Sequence, residues 1–292
     1  MPPGGNLDVQ ARAFTSIAEK ILGKPFVIMN KPGASGMIGG LAGAQAPADG
    51  HTLTIGTPAI INSVEWEIVN GRKPPFTMQN DFAPIASYSL SPGILIVNAD
   101  SPWKTLADFV RDVKAKPDFY AYSTFGRFSG SHVSTLALTR AAGLNCRHVP
   151  VSGGASATAS LLGKHVDFST QFPTMVLPLV EGKKVRGLAT LSQKRCKFLP
   201  EVPTAKEQGF EAEAYGWASL MVPKRTPEKV VQKLRDVARI VSKDKDFINI
   251  MENSGNEVDF MTGDELMKFW NSQSENIRKI MTEIQIEEGK SK

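Results

Sequence analysis

Cysteine, histidine and long apolar runs are all scarce in this chain. Among 292 residues there are two cysteines, Cys146 and Cys196, and four histidines, His51, His132, His148 and His165. Neither set has the paired spacing that holds a metal ion, so no metal centre is expected. The two thiols read as unrelated, one in a strand and one in a loop. A disulfide between them, which needs an oxidising compartment, is the weaker alternative. No stretch is long and apolar enough to span a bilayer, and no charged-then-apolar leader opens the chain. Internal repeats, low-complexity linkers and carboxylate pairs at a useful spacing are missing too. So are the phosphate loop GxxxxGK[ST] and a nucleophile elbow, since "GRFSG" does not fit one.

What is present is ordinary in bulk and informative in pattern. Hydrophobic residues make up 41% and charged residues 22% of the chain, the composition of a globular protein. The length favours two domains or lobes over a single core. Net charge is +5 with a pI near 9.1. Lys and Arg are spread along the chain and interleaved with acids, which argues against a nucleic-acid face. A mild positive field still favours anionic small ligands.

Strand and helix patterns alternate from end to end. The chain opens "MPPGGNLDVQARAF", a turn followed by a helix with Asn6 as candidate N-cap and Leu7, Ala11, Phe14, Ala18 and Ile21 on one stripe. "PFVIMN" (25–30), "HTLTIGT" (51–57), "GILIVNA" (93–99), "FYAYST", "CRHVPV", "VDFSTQF", "VRGLATL" and "ASLMVP" read as strands. "TLADFVRDVKAKP" reads as a helix capped by Thr105, and "GSHVSTLALTRAAG" as one ending at Gly143. "TPEKVVQKLRDVARIVSKD" reads as a helix with Thr226 as cap and Pro227 in its first turn. This alternation predicts α/β units with mostly parallel sheets. In such sheets ligands sit beyond the carboxyl ends of strands, facing helix N-termini.

Four loops ahead of helices are rich in Gly, Ser and Thr: "PPGGNLD", "NKPGASG", "STFGRFSGSH" and "VSGGASA". Each offers free N–H donors and small side chains, suited to a carboxylate or phosphate. Catalysis fits less well. Ser129 and His132 lie three apart at one helix start, where a serine caps and a histidine packs. Asp167 as a third triad member is equally loose.

In order along almost the whole chain, "PPGGNLDVQARAF", "ILGKPFVIMNKPGASGMIGG", "APADGHTLTIGT", "SPWKTLADFVRDVKAKP", "SGSHVSTLAL", "HVPVSGGASATASLLGKHVDF" and "EVPTAKEQGF" resemble the Bug-type (TctC-like) solute-binding proteins of tripartite tricarboxylate transporters. The resemblance implies an α/β fold of the two-lobed periplasmic-binding-protein kind (type II, Venus-flytrap), with a ligand cleft between lobes. It implies lobes formed by 1–100 plus 218–292 and by 101–217, with crossings near Ser101 and Trp217. It also implies a periplasmic monomer that performs no chemistry, needs no cofactor, inserts in no membrane and binds no nucleic acid. Its partners would be a small carboxylate ligand and either membrane permease subunits or a sensor kinase. Relatives carry a strand before "PPGG", so this sequence reads as truncated there, and a gap or an exposed sheet edge is expected.

The same resemblance suggests site residues. Gly5 would let backbone approach the ligand, and Asp8 would orient water or a ligand hydroxyl or else serve as a first-turn acid. Gly33, Ala34 and Gly36 would turn their amides to the cleft, and Thr57 would offer a hydroxyl or cap a helix. Thr124, Gly126 and Ser129 fit the family's [ST]xGxGSxxH loop, with Thr124 and Ser129 donating to the distal carboxylate and His132 supporting the loop. Gly153, Gly154 and Ala155 match the next loop, and Asp167 the strand after it. Two departures stand out. Phe128 replaces a glycine beside Arg127, so that an aromatic ring narrows the cleft, stacks on an aromatic acid or turns to solvent, while the arginine pairs with a carboxylate or lies on the surface. Val151 and Ser152 replace a phenol and an ammonium. Both changes widen the ligand class to aromatic as well as dicarboxylic acids. A serine-hydrolase-like enzyme using Ser129 and His132 is the reading from another class.

Overall fold

The computed structural model describes residues 6–290, with side chains to residue 286. In chain order the elements are α1 (Asn6–Leu22), α2 (Met37–Ala44), β1 (Thr54–Gly56), α3 (Pro58–Val69), α4 (Met78–Asp81), β2 (Phe82–Asn98), α5 (Leu106–Ala115), β3 (Ala121–Thr124) and α6 (Gly130–Ala141). Then follow β4 (Arg147–Pro150), α7 (Gly154–Leu162), β5 (Phe168–Gln171), α8 (Pro173–Glu181), β6 (Val185–Leu191), β7 (Tyr215–Pro223), α9 (Glu228–Val241), α10 (Lys245–Asn253), β8 (Met261–Thr262) and α11 (Gly263–Lys290). The chain divides into two compact units, Met1–Leu90 with Trp217–Lys292, and Ser91–Gly216. The first passage between them lies at Leu90–Ser91, inside β2, and so earlier than the crossing expected near Ser101. The reason is that "FAPIASYSLS" continues "GILIVN" as one unbroken strand.

In the first unit, β1 pairs antiparallel with β7, β7 lies beside β2, and β8 pairs with β2 at Ala86 and Ser87. Phe14 of α1, Tyr88 of β2 and Phe247 of α10 meet as three rings, with centroids 5.7, 6.3 and 6.4 Å apart. Beside them Gln10 donates to Asn256 and accepts from the Ser89 hydroxyl, so the buried amide is satisfied. Asn6 lies within α1 and exchanges side-chain hydrogen bonds with Asn256. At the far side α3 packs on α11, where Arg278 holds the buried Glu65 carboxylate at 2.6 Å.

In the second unit, β3 runs parallel to both β4 and β5, while β2 pairs antiparallel with β5 and β6. The β3–β4 and β3–β5 ladders and an isolated bridge between Thr190 and Thr204 are parallel, whereas β1–β7, β2–β5, β2–β6 and β2–β8 are antiparallel, which corrects the expectation of mostly parallel sheets. Phe109 of α5 fills the core between Trp103 and Phe168, at 5.1 and 4.9 Å. Thr105 and Asp108 form a full capping box at the start of α5. The Trp103 indole and Tyr120 hydroxyl both donate to Asp112, which holds its carboxyl below the usual range.

Two further expectations change. Pro227, with an extended backbone, is itself the N-cap of α9, and the Thr226 hydroxyl is buried with no partner among the described residues. "PFVIMN" forms no strand. Residues 25–30 carry neither helix nor ladder, because no neighbouring strand runs beside them. Cys146 and Cys196 are both free thiols.

Candidate functional site

Parallel β3, β4 and β5 end side by side, and each is followed by a helix. Thr124, Pro150 and Gln171 close the strands; Gly130, Gly154 and Pro173 open α6, α7 and α8. Strands in one direction necessarily deliver their following helices with N-termini at one sheet edge, where the first-turn amides have no carbonyl of their own helix to meet.

The loops there are joined in detail. The Val151 amide donates to the Thr124 carbonyl at 3.2 Å, which ties the loop after β4 to the loop after β3. The start of α7 abuts α8 and the β3 loop: a Cβ on Gly154 would lie 3.3 Å from Met175 and 3.4 Å from Phe125. Phe172, just ahead of α8, meets the Phe125 ring at 6.2 Å and sits against Gly130, where a Cβ would come within 3.2 Å of its ring. Gly126 and Gly153 take φ of 120° and 92°, a region open to glycine and strained for other residues.

Phe128 adopts φ of 60°, an uncommon conformation for a bulky residue. It is held from three sides. Its amide donates to His132 Nδ1 at 3.0 Å, its ring tilts against His132 at 6.0 Å, and the Arg127 guanidinium lies 4.7 Å from its centroid. His132 in turn stacks on His148, centroids 4.0 Å apart and 10° from parallel, and His148 stacks on Tyr122 at 5.0 Å. The Thr124 hydroxyl donates to the Gly126 carbonyl, so His148 Nε2, 2.7 Å away, is the donor to its oxygen. Burial first, then the neighbouring imidazole and Arg127 and Arg140, push His132 down to about 3. Burial first, then Arg127, pushes His148 down to about 4. Both rings are neutral at pH 7, as an accepting Nδ1 on His132 requires.

Thr124 is therefore committed to the loop's own architecture, and Ser129 caps α6 by accepting from the His132 amide at 3.3 Å. Ser129 meets the histidine's backbone, not its ring, so no nucleophile–base pair exists there. Of the residues singled out from sequence, Thr124, Gly126, Arg127, Phe128, Ser129, Gly153, Gly154 and Ala155 come together at this edge. Asp167 does not. It precedes β5, at the opposite end of the strands, where its carboxylate accepts from the Ala121 amide at 2.8 Å. Its placement is a correction: a carboxylate at a strand start anchors the neighbouring strand. Phe125, His148 and Phe172 belong to the edge and were missed by sequence reasoning. The only sequence signal for them was their position next to a glycine-rich or proline-started turn.

The remaining candidates lie in the first unit. Gly5 falls outside the described residues. Asp8 is buried and engaged as a first-turn acid, accepting from Arg12 at 2.9 Å and from Asn30 at 3.1 Å. Gly33, Ala34, Ser35 and Gly36 all take positive φ, from 45° to 121°. Among the described residues no acceptor meets the Ala34 and Ser35 amides, and consecutive left-handed residues of this kind form an anion-binding concavity. Thr57 is the N-cap of α3, yet its hydroxyl makes no capping bond. Gly36 lies near it, where a Cβ would touch Ile60 at 3.4 Å.

Residues 10–286 match the model of the "Tripartite tricarboxylate transporter family receptor". Three solved structures are similar over nearly the whole chain. The malate-bound MatC of Rhodopseudomonas palustris is 26% identical with a TM-score of 0.81, covering 96% of both chains. An R. palustris protein with adipate is 25% identical with a TM-score of 0.82, covering 96% of this chain and 94% of that one. The periplasmic binding protein BugD is 28% identical with a TM-score of 0.80, covering 97% and 94%. Receptors of this family are solute-binding proteins, not enzymes. The chain belongs to the tripartite tricarboxylate transporter receptor family, the Bug-type periplasmic solute-binding proteins.

Proposed function

We propose that this protein is an extracytoplasmic receptor that binds an organic carboxylate and hands it to a tripartite permease. The observation that carries the reading is the convergence of the N-termini of α6, α7 and α8 on one sheet edge. Amides at helix N-termini stabilise a carboxylate without a metal or a paired lysine. Similar proteins holding malate and adipate support the ligand class. Phe128, fixed between Arg127 and His132, puts an aromatic ring in the loop where it would favour a flat or extended hydrocarbon portion.

The test is a thermal-shift panel of malate, adipate, benzoate and terephthalate. Ligand at a hundredfold its Kd stabilises by about 2.7 kcal/mol, a shift of several degrees. At least one acid should shift the transition. A folded protein with no shift for any acid in the panel contradicts the proposal.

A further inference from the structure

The sheet edge where α6, α7 and α8 begin is poor in charge. Across 124–131, 150–156 and 171–176 the one charged side chain is Arg127. Around it the hydroxyls of Ser123, Thr124, Ser131, Ser156 and Thr158 all donate inside the protein, to Ala157, Gly126, Thr170, Ser152 and Gln171. Polar recognition of a ligand therefore falls mainly to backbone amides at the helix N-termini.

Apolar side chains supply the rest of the surface. Phe125, Phe128, Phe172 and Met175 are each half-buried, so part of every one stays open. Three of them lie against helix starts that glycine leaves bare. Phe125 and Met175 rest on Gly154, the first residue of α7, and Phe172 rests on Gly130, the first residue of α6. Phe172 is backed on another side by Gly216, where a Cβ would come within 3.0 Å of the ring. Phe125 and Phe172 meet edge to face, 65° apart. Phe128 is the fourth, held in left-handed backbone by its bond to His132. Glycine at these helix starts thus sets aromatic surface directly beside the first-turn amides.

Charge and shape narrow the occupant. One carboxylate has amides to meet, and one guanidinium stands at the same edge. A second carboxylate on a short ligand would lie against rings, and an unpaired carboxylate there is costly to desolvate. An alkyl chain fills apolar space but gains nothing specific from the rings. An aryl group adds edge-to-face contacts with Phe125 and Phe172 and a thioether contact with Met175.

We propose that the ligand is an aryl monocarboxylate, with its carboxylate on the first-turn amides of α6 and α7 and its ring among Phe125, Phe172 and Met175. This rests on the receptor reading above and narrows it from carboxylates at large to one class. Phe125 and Phe172 are the specificity-determining residues.

The test is calorimetric titration of the unaltered chain with benzoate, cyclohexanecarboxylate, adipate, malate and terephthalate. Benzoate should bind tightest, about tenfold tighter than each of the three dicarboxylates and about fivefold tighter than its saturated counterpart. In protein carrying methyl-labelled methionine, with the resonance assigned by Met175→Leu, benzoate should shift the Met175 methyl signal by its ring current and adipate should not. Phe125→Leu keeps apolar bulk and removes a ring. It should bring the benzoate and cyclohexanecarboxylate affinities to within about twofold of each other, a change in ratio that a general loss of fold does not produce. A dicarboxylate that binds as tightly as benzoate overturns this proposal and leaves the receptor reading standing. Equal affinity of the unaltered chain for benzoate and cyclohexanecarboxylate overturns it too, as does benzoate binding with the Met175 signal unmoved. No binding by any of these acids overturns both readings.

Discussion

Residues 121–124 in the second unit and 26–29 in the first both read as strands, and only the former is one. Ala121–Thr124 has β4 on one side and β5 on the other. Phe26–Met29 has a cavity where a neighbour would stand. The more apolar of the two segments is the one that forms no strand; pairing decides, because a strand is stabilised by the groups opposite it. The same contrast runs through the packing. Phe109, in the second unit, is wholly buried between two rings. Phe14, in the first, packs on Tyr88 and Phe247 but also lines the cavity.

The sharpest way to break this contrast is to delete those two rings. Phe109→Ala should cost about 3–5 kcal/mol in urea-induced unfolding, the range for a fully packed phenylalanine. Phe14→Ala should cost less, roughly 2 kcal/mol, because a ring beside a void has already lost contacts on that side. Equal costs would mean that the cavity is closed in solution.

Acid comes next. The His132–His148 stack lies in the second unit, and both imidazoles sit below the ordinary value of 6.5 in the fold. The unfolded chain therefore takes up protons first as pH falls. Their contribution is full above about pH 6.5, drains as pH drops, and is gone below about 4 for His148 and about 3 for His132. The groups facing the pair are Arg127, Arg140, Tyr122, Thr124 and Phe128, with no carboxylate among the described residues to offset the charge. Between pH 7 and 4.5 the loop 124–131 should lose exchange protection and the protein should lose roughly 2 kcal/mol for each imidazole. His148→Gln should flatten that dependence. An unchanged slope in the variant would remove the pair from the explanation.

Smaller effects sharpen the comparison at helix ends and on the surface. Thr105→Ala removes a capping box and should cost about 1 kcal/mol. Arg72→Ala, which deletes an exposed pair with Glu67 in the first unit, should cost under about 0.5 kcal/mol. Chemical denaturation of both variants checks the order.

Much of this fold was legible because the signals were local. The Thr105 cap with its Asp108 partner, the strand over Val185–Leu191 and the helix end at Gly143 need only a few neighbouring residues. Helices α3 and α10 went unread, as did the first half of β2, where Pro84 and a serine-rich run hid a continuous strand. Residues 25–30 were read as a strand because their propensity is that of one, and propensity says nothing about whether a partner strand is present. The candidate site divides the same way. Its glycine turns were visible, since left-handed backbone demands glycine. His148 and Phe172 were not, because the ring stack on His132 and the contact with Gly130 are made only when β3, β4 and β5 lie side by side. Asp167 was misplaced for a related reason: a residue's distance along a strand decides which end of the sheet it occupies.

The receptor reading is tested most directly by hydrogen exchange of the intact protein with and without saturating malate, adipate, benzoate or terephthalate. The expected result is slowed exchange at the amides of 126–131, 153–156 and 174–175 with at least one of these acids. Folded protein that shows no slowing in those segments with any of them would contradict the assignment of the convergent helix N-termini as the carboxylate site.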